Sequence, residues 1–177
     1  MNKSLPLRFV LLGNGSQRES NFKAEGSGIE RLQFIDSLGD LAFQETLAAA
    51  DVLLINEKHG VSEMAVPSKL TSYFNAGKPV LAATAREGVT AGEITAARAG
   101  VVVSAEDPTA LVDAALRLAE DPQRAAQFGA NGMRYRTDVL GEEVAIDRFA
   151  QWLRSLTLTT DHKCGAVQTV GQEGGIS

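Results

Sequence analysis

Five short runs of apolar residues alternate with longer amphipathic segments, and this alternation restricts the fold more than any other feature of the sequence. Short, nearly continuous apolar runs are typical of strands that are buried on both faces of a parallel sheet. The order of strand, helix and strand therefore predicts an α/β fold built on a doubly wound parallel sheet. The predicted strands are residues 7–13, 32–35, 52–55, 79–83 and 101–104, and the predicted helices between them are residues 17–24, 40–50, 68–76 and 92–98.

After the last strand the pattern becomes wholly helical. Asp107 and Asp121, each followed by proline, are start signals for two helices, because aspartate caps a helix and proline suits its first turn. In the first of these helices Leu111, Ala114, Ala115 and Leu118 form one apolar stripe. A third helix is predicted over residues 142–156.

The third helix carries its own apolar stripe, which we expect to pack into a core. The stripe consists of Ala145, Phe149, Trp152, Leu153 and Leu156. Residues 157–177 are polar and lack a period, which predicts a disordered tail. The predicted domains are therefore a folded part, 1–156, and a tail, 157–177.

Composition and charge exclude several classes of function. With 17 Lys and Arg against 22 Asp and Glu, the net charge is -5, and a basic groove for nucleic acid is not expected. No apolar run approaches the length of a membrane helix or a signal peptide, so a cytoplasmic protein is predicted. Cys164, the single cysteine, lies near Asp161 and His162. Three ligands are fewer than the four of a structural zinc site, so we predict neither a metal nor another cofactor.

The first segment that suggests chemistry is the turn after the first strand, in FVLLGNGS. Gly13 and Gly15 would let backbone amides approach a ligand at the start of the following helix. The pattern is an incomplete dinucleotide fingerprint, because Arg18 occupies the third glycine position and a suitable acidic residue about 20 positions on is lacking. A tight turn at the sheet edge is an equally good interpretation.

The second such segment is VPSKLTSYFNAGKPVL. Pro67 is placed at the start of a helix, Ser68 and Lys69 lie in its first turn, and Gly77 fits its carboxyl end. The free N–H groups of such a helix point out of the carboxyl edge of the sheet, where open α/β folds bind ligands. A lysine opposes the usual preference for acids in a first turn, and a bound diphosphate would resolve that conflict.

The order of these segments resembles the carboxyl-terminal half of retaining glycosyltransferases of the GT-B fold, glycosyltransferase family 4, also called glycosyl transferases group 1. The segments are FVLLGNGSQRE, a strand that ends in FID, LAAADVLLIN, VPSKLTSYFNAGKPVLA, AGVVV, EDPTALVDAALRLAEDP and DRFAQWL. The similarity is greatest to the bacterial branch that makes surface polysaccharides. It implies a Rossmann-like donor-binding domain that binds a nucleotide sugar, most simply a UDP-sugar, without a bound metal.

The resemblance also implies roles for individual residues. Ser68 and Lys69 would bind the donor diphosphate. Ile35, Asp36 and Ser37 would lie next to the nucleotide base. The remaining donor-binding positions implied by the segments are Gly13, Gly15, Gly60, Val61 and Pro67.

The sequence departs from the family at its usual pair of acidic residues. Many members carry two glutamates eight positions apart, one for the sugar and one for the ribose, and these positions fall on Met64 and Ser72. Glu63 lies one position earlier and is the one candidate for a catalytic carboxylate. Ser72 would form a single hydrogen bond to the ribose. His59, in the same loop as Glu63, would contact the sugar or acceptor, or simply face solvent.

The family domain normally opens with a further strand and helix, before the strand that matches residues 7–13. In the strand order 3-2-1-4-5-6 that first strand is central, so the sheet is expected to be interrupted. We expect this chain to be part of a larger enzyme whose amino-terminal domain binds a saccharide or lipid-linked acceptor, in the cytoplasm or peripherally at the inner face of the membrane. By itself the chain would be inactive. The alternatives are a non-catalytic nucleotide-binding α/β module and an NAD-dependent oxidoreductase domain.

Overall fold

The structure is a computed structural model, and it describes residues 7–13, 31–57 and 68–160. The strands are β1 Phe9–Leu12, β2 Leu32–Ile35, β3 Leu53–Asn56, β4 Val80–Thr84 and β5 Gly100–Ser104. The helices are α1 Asp40–Ala49, α2 Ser68–Asn75, α3 Val89–Ala97, α4 Pro108–Glu120, α5 Pro122–Asp138 and α6 Glu142–Thr160. Each predicted strand is confirmed to within two residues at either end, and the predicted helix at 17–24 lies outside the described residues.

The strands form parallel sheets with helices beside them, so the α/β prediction is confirmed. One sheet has the order β3-β4-β5, and helices α3 and α4 pack against β4 and β5. All five residues of β4 are buried. A strand that is buried along its whole length and paired on both sides is typical of the centre of such a sheet.

Strands β1 and β2 form a second, two-stranded parallel sheet. Among the described residues β1 does not pair with β3, which is the interruption that the strand order of the resemblance predicts. The expected burial of β1 on both faces is wrong, because Val10 and Leu11 are 45% and 42% exposed. The helices that contact a sheet extensively, α3 and α4, pack on β4 and β5. The apolar sequence of β1 does not by itself bring a helix to cover that strand.

The stripe predicted on α4 is confirmed as part of the core. Ala114, Ala115 and Leu118 are buried with Leu81 of β4, and Leu111 packs against them. Both predicted aspartate caps are present, because Asp107 accepts a hydrogen bond from the backbone N–H of Ala110 and Asp121 from that of Arg124, each at 2.9 Å. Helix α3 begins three residues before the predicted Gly92, because Gly88 takes the extended N-cap conformation.

Helices α2 and α5 approach closely through glycines. Gly77, at the carboxyl end of α2, has φ +64, and its N–H donates to the carbonyl of Phe74 at 3.1 Å, so the predicted helix end is confirmed. A Cβ on Gly129 of α5 would lie 2.0 Å from the carbonyl oxygen of Gly77, and one on Gly132 would lie 3.0 Å from the ring of Phe74. The approach of these two helices therefore requires residues without side chains.

The expected core packing of the stripe on α6 is wrong. Phe149, Trp152, Leu153 and Leu156 are 59%, 54%, 45% and 49% exposed. Helical spacing specifies which side chains share a face, but it does not supply a second surface to cover that face. The helix extends to Thr160, four residues beyond its predicted end, and belongs to a compact unit Asp138–Ser177 that is distinct from Met1–Thr137. Within the described ranges no helix is long and apolar enough to cross a bilayer.

Gly129→Ala tests the close approach of α2 and α5. The new methyl group would overlap the backbone carbonyl of Gly77, and backbone cannot move aside as a flexible side chain can. We expect the free energy of unfolding to fall by about 2 kcal/mol or more, as for overpacked sites. Urea denaturation measures this change.

Gly92→Ala is the matched control, because a Cβ at this helical glycine would meet nothing within 4 Å. It should leave stability unchanged or raise it by up to about 1 kcal/mol through the higher helix propensity of alanine. Equal effects of the two substitutions would contradict the proposed contact.

Candidate functional site

The amino terminus of α2 follows strand β3 and presents a cation. Lys69, the second residue of the helix, is exposed, whereas Leu70 and Phe74 are 3% and 0% exposed. The first turn contains no acidic residue. The helix thus combines a buried apolar side with a positively charged end, which favours an anion.

Tyr73 connects α2 to β3. Its hydroxyl donates a hydrogen bond to the backbone carbonyl of Leu54 at 3.3 Å. Burial raises the pKa of Tyr73 above its ordinary value of 10.0, because the charged phenolate loses solvation. On the same helix, Phe74 makes an edge-to-face contact with Tyr135 of α5, with ring centroids 6.0 Å apart. These contacts hold the helix from its interior side and leave Lys69 exposed.

The turn after β1 and the end of β2 lie at one edge of the two-stranded sheet. The N–H of Gly13 donates to the carbonyl of Ile35 at 2.9 Å. Gly13 has φ +118, and a Cβ there would meet no atom of the described residues within 4 Å. Asp36 and Ser37 follow Ile35 and are exposed. The structure therefore brings together four of the residues to which the resemblance assigns donor binding.

Several predicted site residues lie outside the described part of the chain. These are Gly15, His59, Gly60, Val61, Glu63, Met64 and Pro67, and the side chain of Ser68 also lies outside it. Ser72 is half-buried and lies three residues beyond Lys69, on the same side of α2. In the ranges that the structure describes, no cluster of three or more His, Cys, Asp or Glu could hold a metal ion.

A carboxylate that sequence reasoning missed lies directly after β3. Glu57 accepts hydrogen bonds from the hydroxyls of Thr84 at 2.5 Å and Thr90 at 2.6 Å. Its N–H donates to the carbonyl of Ala83 at 3.0 Å, which continues the ladder between β3 and β4. The signal in the sequence was a single acidic residue that ends an apolar run, VLLINE. The two threonines are distant in sequence, so that signal did not reveal their contact.

The described residues thus provide two kinds of ligand contact at carboxyl ends of parallel strands. Backbone amides and Lys69 can bind an anionic group, and carboxylate or hydroxyl groups can bind ligand hydroxyls. The carboxyl edge is where open α/β sheets bind their ligands. The arrangement suits a ligand with both phosphate and hydroxyl groups.

Comparison with protein families gave a match that covers most of the chain. The family model described as "Glycosyl transferases group 1" matches residues 1–121. No curated protein matched the sequence.

Solved structures of glycosyltransferases share the fold. Anabaena Alr3699/HepE in complex with UDP aligns with a TM-score of 0.70 and 18% identity, over 84% of this chain and 41% of that chain. Sucrose-phosphate synthase from Thermosynechococcus elongatus aligns with a TM-score of 0.63 and 21% identity, over 85% and 38%. WaaG, a glycosyltransferase involved in lipopolysaccharide biosynthesis, aligns with a TM-score of 0.56 and 23% identity, over 72% and 33%. The chain thus spans less than half the length of each of these three proteins. Their shared fold confirms the predicted GT-B fold class.

Tyr73→Phe tests how α2 is held on β3. Loss of the hydrogen bond to Leu54 should lower the free energy of unfolding by about 0.5–1.5 kcal/mol. Because the pKa of Tyr73 is raised in the folded chain, its contribution to stability is complete below pH 10 and is lost as the pH rises through the folded pKa. Denaturation at a series of pH values measures how far the free energy of unfolding falls as the pH rises. Tyr73→Phe should make this fall smaller, and an unchanged fall would contradict the burial of this phenol.

Proposed function

The chain belongs to the glycosyl transferases group 1 family, and on that premise we propose that it is the donor-binding domain of a retaining glycosyltransferase. The enzyme would transfer a sugar from a nucleotide diphosphate, a UDP-sugar, to a saccharide or lipid-linked acceptor in surface-polysaccharide biosynthesis. Family 4 membership and retention rest on the order of sequence segments. Anabaena Alr3699/HepE, whose fold is similar, has been solved in complex with UDP and with UDP-glucose, which supports the choice of donor.

The observation that carries the proposal is the exposed Lys69 at the amino end of α2. Cations at this end of a helix are unfavourable unless an anion is present, by roughly 0.3–1 kcal/mol at an exposed site. Because the first turn has no acidic side chain, the helix itself does not supply that anion. A donor diphosphate would do so, with backbone N–H groups of α2 as hydrogen-bond donors and Lys69 as a counter-charge.

The other half of the donor would bind at the edge formed by β1 and β2. A Cβ on Gly13 would meet no described atom within 4 Å, Ile35 ends the neighbouring strand, and Asp36 follows it. We assign this edge to the nucleoside, with Ile35 as an apolar contact for the base and polar groups at Asp36 and Ser37 for its hydrogen bonds. Gly15, Gly60, Val61, Pro67, Ser68 and Ser72 complete the proposed donor contacts.

The proposed catalytic contribution is electrostatic. As the bond between sugar and diphosphate breaks, negative charge increases on the leaving diphosphate, and the end of α2 with Lys69 would stabilise it. This contribution requires no carboxylate pair within the chain. Glu63 remains the candidate catalytic residue of the sequence.

A second part of the enzyme would supply the acceptor site. Among the described residues β1 and β3 are not paired with each other. An additional strand placed between them would pair with both, because unpaired strand edges readily pair with another segment. The partner that we propose is an amino-terminal GT-B domain together with that strand. The assembled enzyme would act in the cytoplasm, at the inner face of the membrane where the acceptor is lipid-linked.

Lys69→Ala tests the diphosphate site. Loss of one charge contact should weaken UDP binding about tenfold, a loss typical of hydrogen bonds to charged groups, and leave uridine binding unchanged. Titration calorimetry of the 177-residue chain with UDP, uridine, GDP and NAD measures these affinities.

Lys78→Ala is the matched control, because Lys78 lies at the opposite end of α2, before β4. It removes the same charge and should leave UDP binding unchanged. Equal losses of UDP and uridine affinity in Lys69→Ala would place Lys69 elsewhere. Binding of NAD without binding of a nucleoside diphosphate would overturn the glycosyltransferase proposal.

The need for a second domain gives a separate expectation about turnover. The chain alone should release no free diphosphate beyond slow donor hydrolysis when UDP-glucose and a saccharide acceptor are both present, because the proposed second domain is the part that would position the acceptor for attack. A coupled assay for released UDP measures this rate. Efficient sugar transfer by the chain alone would contradict the proposed two-domain organisation.

A further inference from the structure

Asn131 of α5 joins two arginines at the surface of the described chain. Its Nδ2 donates a hydrogen bond to the backbone carbonyl of Arg98 at 2.9 Å, and its Oδ1 accepts one from Nη2 of Arg134 at 2.6 Å. The same Oδ1 accepts a second hydrogen bond, from Nε2 of Gln127 at 2.8 Å. Arg98, Gln127 and Arg134 are exposed. One side-chain amide therefore holds three exposed residues together, and two of them are cations.

The positive charge of this cluster is not neutralised within the described residues. The guanidinium of Arg134 bonds to a neutral amide oxygen, although Asp138 lies one helical turn further along α5. Residues 122–137 of α5 contain no acidic side chain. Glu93, the acidic residue of α3, has a buried Oε2, whereas Arg98 is exposed. The cluster thus orders a guanidinium without giving it a counter-ion.

Arg98 occupies a backbone position that favours glycine. It ends α3 in the left-handed conformation, with φ 49 and ψ 43, and the N–H of Ala99 donates to the carbonyl of Ile94 at 3.1 Å. Helix ends of this kind use glycine most often, because other residues are strained in the left-handed conformation. The helix end therefore gives no reason for an arginine at this position.

The two guanidinium groups offer hydrogen-bond donors and positive charge. A guanidinium has five N–H groups, and the described contact of Arg134 uses one of them. The Oδ1 of Asn131 has both lone pairs occupied, so it offers no further acceptor. Arginine binds phosphate and carboxylate oxygens in bidentate fashion. A phosphate has oxygens for two such groups, whereas one bidentate arginine already engages both oxygens of a carboxylate.

We propose that Arg98 and Arg134, with Gln127, form a phosphate-binding site that is separate from the donor site. Arg98 lies before β5, at the opposite end of this strand from the carboxyl edge to which the donor is assigned. The five residues of β5 separate the two edges by about 16 Å, so one diphosphate does not reach both. The site uses none of the donor-binding residues and does not depend on the proposed function. Soluble phosphate compounds and phospholipid headgroups both carry the required group.

Titration with inorganic phosphate at constant ionic strength tests the site. Calorimetry of the 177-residue chain should show saturable binding with a dissociation constant on the order of 1 mM, as two charged contacts provide. Arg134→Gln removes the charge but keeps an amide at that position, and it should weaken binding about tenfold. Lys69→Ala should leave this affinity unchanged, because Lys69 belongs to the donor site.

Arg117→Gln is the matched control, because it removes an exposed arginine from α4. It should leave phosphate binding unchanged. Arg98→Gly should weaken binding about tenfold without lowering the melting temperature, because glycine suits the left-handed conformation. Arg98→Gly also keeps the test decisive if Arg134→Gln does not fold.

Sedimentation with phosphatidylglycerol vesicles separates the two sources of phosphate. If the site takes a lipid headgroup, the vesicles should carry down the unmodified chain and much less of Arg134→Gln. If it takes a soluble compound, both chains should stay in the supernatant while inorganic phosphate still binds.

Three results would overturn the proposed phosphate site. They are the absence of saturable phosphate binding, equal weakening by Arg134→Gln and Arg117→Gln, and loss of phosphate binding in Lys69→Ala. The last result would show that phosphate binds at the donor site instead. Failure of the chain to bind UDP would overturn the proposed function and leave the phosphate site standing.

Discussion

The hydrogen-bond ladders on both sides of β4 determine where the polar groups of this chain meet. Asn56 of β3 is in register with Ala83, and Ser104 of β5 is in register with Thr84, so the carboxyl ends of three strands are level. Gly100 permits this arrangement, because a Cβ there would lie 1.8 Å from the carbonyl oxygen of Val80. A shift in register would separate Glu57 from Thr84 and would misalign the side chains of β4, all of which are buried.

The interior contacts of α2 explain how a short helix can carry an exposed cation at its start. Eight residues are too few for a stable isolated helix, so its conformation depends on packing. Phe74 is fully buried against α5, and Tyr73 bonds to β3. The free-energy cost of a cation at the position of Lys69 is only a fraction of the free energy that burial of the apolar side of α2 contributes. Packing of this kind therefore keeps the helix formed despite Lys69.

Sequence patterns predicted local structure well and long-range environment poorly. The apolar runs located the strands, and Asp107 and Asp121 located helix starts, because these signals depend on neighbouring residues. Burial of β1 and of the α6 stripe was predicted wrongly, since exposure depends on which other surface is present. Glu57 was missed because Thr84 and Thr90 lie 27 and 33 residues away in sequence and meet it only through strand pairing.

The amino end of α2 and the carboxyl end of β3 present side chains of opposite charge, Lys69 and Glu57. Under the proposed function, the start of α2 would offer the N–H donors and the cation that a diphosphate needs. A carboxylate directly beside the diphosphate would repel it by about 4 kcal/mol at 4 Å in a partly shielded environment. Both groups are nevertheless attached to β3, Glu57 by the backbone and α2 through the bond from Tyr73 to Leu54. One strand thus supports two side chains of opposite charge, and a rigid support of this kind limits the further ordering that would accompany ligand binding.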